Sequence, residues 1–184
     1  GLKLKSHQRI LSENVPFNME ADSLNCMVLG EDVEPGQPEW DLFIKEVKKE
    51  MTVKAGQKCT AVRRIFVPEN KMEDLWKAIS VSLAQTVIGN PLNEKVRMGS
   101  LAGETQRREV KEQIQKLLAS SQIIYGSLDS VELIDADAQK ELREGGKRRL
   151  AERAAAVTVA TARPITGGEV FLVGCLLPRQ PARH

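Results

Sequence analysis

The chain is predicted to be an α/β domain with a parallel sheet, and three observations carry that prediction. Apolar runs of strand length alternate with amphipathic helical stretches in the order strand, helix, strand, helix, loop, helix, strand, which builds a sheet covered by helices. The 184 residues are 41% hydrophobic and 28% charged, enough apolar material for a core and too little charge for a disordered chain. The net charge is only +2, from 27 basic against 25 acidic residues, so no strong field points to nucleic acid or an anionic membrane.

Each element follows from local pattern. Val15 to Glu20 is an extended stretch, with Pro16 biasing Val15 away from helix. "LNCMVLG", Leu24 to Gly30, is an apolar run of strand length ending in glycine, as a buried parallel strand would be. "EDVEPGQPEW" is a loop. "EWDLFIKEVKKEMTVKAG" places Trp40, Phe43, Ile44, Val47 and Met51 at helical spacing and stops at Gly56. "AVRRIFVP" is β-rich and closes at Pro68. The next helix carries Met72, Leu75, Trp76, Ile79 and Leu83 on one face and ends near Gly89. After the loop "NPLNEKVRMGSLAG", a third helix presents Val110, Ile114, Leu117 and Leu118, and "QIIYGS" is a short strand. Residues 1–126 therefore form the organised portion. Residues 127–184 follow as a less regular continuation, in which "GGEVFLVGCLLP" has the composition of one more strand.

Composition narrows the chemistry. Cys26, Cys59 and Cys175 lie far apart, and His7 and His184 are the only histidines, so no metal site is expected. Sparse cysteine fits a reducing cytoplasm, and no apolar run approaches the ~20 residues of a membrane span. The basic run "GGKRRLAER" lacks interleaved aromatics and reads as a solvated helix face, so no nucleic-acid partner is expected. The start, "GLKLKSHQ", has no signal-peptide character and no initiating methionine, as in a piece of a longer chain.

One cysteine stands apart. An isolated cysteine ordinarily fills a core, and Cys26 and Cys175, within apolar runs, are expected to do so. Cys59 instead follows Gly56-Gln57 at the end of a helix, has Lys58 and Thr60 as neighbours, and precedes a strand. A bend at a strand's entrance exposes a side chain and is a common place for function. A nucleophilic thiol also needs a base for any later hydrolysis. Glu20, in "PFNMEADSLN", is a carboxylate between an extended segment and an apolar strand, where packing has no use for it; the plain alternative is an exposed loop residue. Arg63 and Arg64 are assigned to packing or ion pairing, and His7 to the surface.

Together these stretches resemble the aldehyde dehydrogenase superfamily. "AGQKCTAVRRIFVP" resembles its G-Q-x-C motif, "MEADSLN" stands where its general-base glutamate lies, 39 residues earlier, and "VIGNPLNEKVRMGSLAGETQRREV" resembles its G-N-P loop and the helix after it. The departure from E-L-G-G-K to "EADSLN" resembles one branch, in which the dehydrogenase is fused to a MaoC-type hydratase and serves phenylacetate degradation. The resemblance implies a parallel-sheet catalytic domain in which Cys59 is the nucleophile and Glu20 the general base. It further implies oxidation of an aldehyde, CoA-linked in that branch, with NADP or NAD as acceptor, in a parent enzyme that is homo-oligomeric. The dinucleotide-binding half, the oxyanion-hole asparagine and the E-x-F-G-P stretch of the family have no counterpart here, so the piece alone is expected not to turn over. The rival expectation is a non-catalytic α/β interaction module, with Cys59 buried and inert.

Overall fold

A computed structural model of the chain describes residues 2–19, 25–128, 134, 159–165 and 168–173. Two short helices, α1 (Leu2–Lys5) and α2 (Gln8–Ser12), precede strand β1 (Asn25–Val28). Helix α3 (Pro38–Thr52), strand β2 (Val62–Val67), helices α4 (Met72–Ala84) and α5 (Glu104–Leu117), and strands β3 (Gln122–Tyr125), β4 (Val159–Ile165) and β5 (Gly168–Val173) follow. The order is the α/β order expected.

The sheet runs β1-β2-β5-β4-β3. Strands β1 and β2 are parallel, joined through α3, whereas the β2–β5, β5–β4 and β4–β3 pairs are antiparallel. The parallel sheet read from the sequence is thus a mixed one. The reason is β5, which returns from β4 after a two-residue connection and enters between β2 and β4, reversing the direction on both sides. It also carries residues beyond 126 into the same sheet as β2.

Helix α3 forms where Pro38 pre-sets the first turn and Glu39 and Asp41 sit at its positive end. Its buried face is the predicted stripe of Trp40, Phe43, Ile44, Val47 and Met51. Helix α4 buries Met72, Leu75, Ile79 and Leu83 against it and ends at Ala84, five residues before Gly89. Helix α5 buries Val110 and Ile114, while Leu118, predicted to join the stripe, falls past the last turn and is exposed. These faces meet Ile65 and Val67 of β2 in one core. Lys71 is buried just before α4. Its Nζ donates to the carbonyls of Glu31 and Val33 at 2.6 Å each and pairs with Glu34 at 2.8 Å, pinning the loop after β1.

The run containing Cys26 is only half buried, contrary to the reading of a fully buried strand. Strand β1 is the edge of the sheet among the described residues, so its side chains alternate: Cys26 and Val28 are exposed, while Leu29, just past the strand, enters the core. Cys26 is therefore no core filler. Cys175 and "GGKRRLAER" lie outside the described residues.

Candidate active site

The cysteine bend is built from an unusual backbone. Past α3, Lys54 (φ 53°), Ala55 (φ 52°) and Gly56 (φ 71°) are all left-handed. Glycine adopts this conformation readily, but lysine and alanine pay for it, and such runs persist only where surroundings impose them. Ala55 is fully buried, so packing holds the run in place. The sequence anticipated a sharp turn at Gly56; it gave no sign that the two preceding residues share it.

Gln57 then attaches the bend to a distant loop. Its side-chain Nε2 donates to the carbonyls of Lys54 (2.8 Å) and Ser100 (3.4 Å), and its Oε1 accepts from the Ala102 amide (2.9 Å). The partner segment is presented by the 86–103 loop, which winds round to bring Ile88 and Met98 into a parallel bridge. Gly99 lies so close to Pro91 that a Cβ there would sit 2.9 Å from the proline ring. This is the job of the G-N-P stretch in the fold: it carries residues 100–102 to Gln57.

Cys59 occupies the second position of a turn closed by the Ala61 amide on the Lys58 carbonyl (3.2 Å), and the residue is exposed. On its far side Asn25, the first residue of β1, donates from Nδ2 to the Cys59 carbonyl at 2.7 Å and to the Ala61 carbonyl at 3.3 Å. Lys58 forms a largely buried ion pair with Glu50 of α3 (2.6 Å), whose second carboxylate oxygen is buried without a hydrogen-bond partner among the described residues. Arg63, only 5% exposed, donates from Nη2 to the Lys58 carbonyl at 3.4 Å, a packing role as expected.

Of the residues expected to do chemistry, Cys59 is thus presented at the surface on a fixed turn. Glu20 lies outside the described residues. His7 is an exposed surface residue, as expected, and caps α2 by accepting from the Arg9 amide. The sequence reading missed Asn25 and Glu50, and it assigned no role to the Gln57 side chain. A polar residue opening an apolar strand, five positions after Glu20, is the one signal that could have pointed to Asn25. Among the described residues no group of three or more His, Cys, Asp or Glu could hold a metal ion, and no helix is long and apolar enough to cross a membrane.

The α/β layer thus presents the Cys59 thiol on a turn between a helix and a strand. The chain belongs to the aldehyde dehydrogenase family, whose profile matches residues 11–136. It is 42% identical over 136 residues to 3,4-dehydroadipyl-CoA semialdehyde dehydrogenase of Aromatoleum evansii, covering 74% of this chain and 26% of that protein. It is 32% identical over 91 residues to a putative aldehyde dehydrogenase of Staphylococcus haemolyticus, covering 47% of this chain and 19% of that one. The chain therefore matches about a quarter or less of the length of these relatives. Among solved structures, succinic semialdehyde dehydrogenase from Streptococcus pyogenes in complex with NADP+ superposes with a TM-score of 0.61 at 14% identity, over 79% of this chain and 27% of that one. A Mycobacterium tuberculosis aldehyde dehydrogenase complexed with NAD+ gives 0.59 at 21% identity, over 68% and 25%. At these identities the structures establish a shared fold.

Proposed function

We propose that this chain is the nucleophile-bearing catalytic segment of an NAD(P)-dependent aldehyde dehydrogenase acting on a CoA-linked semialdehyde, with Cys59 as nucleophile and Glu20 as general base. The observation that carries the reading is the exposed Cys59 on a turn whose backbone is secured on both flanks, within a chain 42% identical to a CoA-semialdehyde dehydrogenase. The Cys59 thiolate adds to the aldehyde carbon, forming a C–S bond while the carbonyl oxygen takes up the charge. Oxidation of that adduct to the thioester would draw on a nicotinamide as hydride acceptor, while this chain's part is to hold the adduct on Cys59. Water deprotonated by Glu20 then cleaves the resulting thioester, releasing the carboxylic acid and the thiolate.

The N-termini of the described helices do not suit the pyrophosphate of the cofactor. Helices α3, α4 and α5 all begin with acidic residues (Glu39 and Asp41, Glu73 and Asp74, Glu104), which repel the pyrophosphate that a helix N-terminus would otherwise attract. The pyrophosphate is therefore held elsewhere than at these helix N-termini. In the same reading, residues 1–126 form the catalytic-domain portion, 127–184 continue it, and the parent enzyme is a cytoplasmic homo-oligomer with no nucleic-acid or membrane partner.

In the full-length enzyme, Cys59→Ala abolishes aldehyde oxidation with an unchanged melting profile. Glu20→Gln forms the thioester but turns over at least about 100-fold more slowly. Normal turnover by Cys59→Ala would sink the proposal.

A further inference from the structure

We propose that Asn25 is a positioning residue for Cys59: its side-chain amide locks the central peptide plane of the turn and the plane that leaves it, and thereby fixes the direction in which the thiol is presented. The proposal rests on the reading of Cys59 as the nucleophile. The Asn25 amide group has two hydrogens, and two carbonyl oxygens face it, those of Cys59 at 2.7 Å and Ala61 at 3.3 Å. Both partners are pure acceptors, so only a donor satisfies them. A peptide plane held at its carbonyl oxygen cannot flip without breaking that bond, and the Cys59–Thr60 plane carries the Cα from which the thiol projects.

The position of Asn25 in the sheet suits this role. It pairs with Val62, at the start of the β1–β2 ladder, and the register shifts immediately afterward, between Asn25 and Cys26. The irregularity frees the first residue of β1 from regular ladder geometry at the level of the cysteine turn. Where the ladder would supply backbone donors, a side chain supplies them instead.

Asn25→Asp tests this with almost no change of shape, because it replaces the NH2 group that donates both bonds with a carboxylate oxygen that faces the two carbonyl oxygens. In the 184-residue chain at pH 7, hydrogen exchange of the Ala61 amide, which closes the turn on the Lys58 carbonyl, accelerates by about tenfold or more, while the amides of α3 and α4 keep their native protection. In the full-length enzyme kcat falls by roughly tenfold, with KM within about twofold of native, because orientation and not binding is lost. Asn25→Ser, which shortens the side chain out of reach of both carbonyls, gives the same local pattern and serves if the aspartate variant fails to fold. Native exchange at the turn, or acceleration spread evenly over α3 and α4, overturns the proposal. A local effect on exchange together with normal turnover by Cys59→Ala overturns the dehydrogenase reading and leaves the amide lock standing.

Discussion

Helix α3 is held by its own hydrogen-bond ladder and by Trp40, Phe43, Ile44, Val47 and Met51 in the core, whereas residues 53–61, which follow it directly, are held by side-chain amides and a left-handed backbone. The two regions solve the same problem with different means. A helix satisfies its polar backbone internally and needs only one apolar face to be placed. A turn closes few bonds of its own, so its Cys59 and Ala61 carbonyls accept from Asn25 of β1, and the Gln57 side chain bonds the 100–102 segment. The contrast teaches that the framework is specified locally and the turn at long range.

The framework breaks most heavily. Leu75 of α4 is fully buried in the core, and Leu75→Ala is expected to cost about 2–5 kcal/mol. Chemical denaturation reads this as a lower midpoint, and a loss under about 1 kcal/mol would mean that the core is not packed as described.

The joint between the regions comes next. Glu50 belongs to α3, but its partner Lys58 belongs to the turn, and the pair is largely buried. Glu50→Ala leaves the Lys58 ammonium there without its counter-ion, at a cost of about 3 kcal/mol. Replacing both residues with apolar ones recovers much of the loss, so a double-mutant cycle shows strong coupling; simple additivity would contradict the pair.

The smallest effects sharpen the comparison within the turn. At Gly56 (φ 71°) an added Cβ is strained, and Gly56→Ala is expected to destabilise by about 1–2 kcal/mol. At Lys54 (φ 53°) the strain is already present. Lys54→Gly relieves it but makes the unfolded chain freer, so the net change stays within about 0.5 kcal/mol. Equal losses at the two positions in thermal melts would show that the left-handed run is not what shapes the turn.

Helical stripes were legible in the sequence because burial imposes a 3.6-residue period: every apolar position assigned to α3 is buried, and all of those assigned to α4 except the half-buried Trp76. Strand lengths were legible for a similar reason, since Pro68 must end β2. Strand direction and edge position were not. "LNCMVLG" has the same apolar content whether one face or both are covered, and only what packs on the faces of the sheet decides. That is why Cys26 read as core and lies exposed.

The sequence by itself determined the family, the helical framework and the cysteine bend, because each is encoded in residues close along the chain: G-Q-x-C, a periodic stripe, a glycine after a helix. Only the tertiary structure decided the mixed sheet and what holds the bend. Asn25 and Cys59 are 34 positions apart and Gln57 and Ala102 are 45 apart. A side-chain amide carries no mark of the carbonyl it will meet. Its partner is fixed only when the strand and the loop are brought together, and the hydrophobic burial that does so is indifferent to the amide itself.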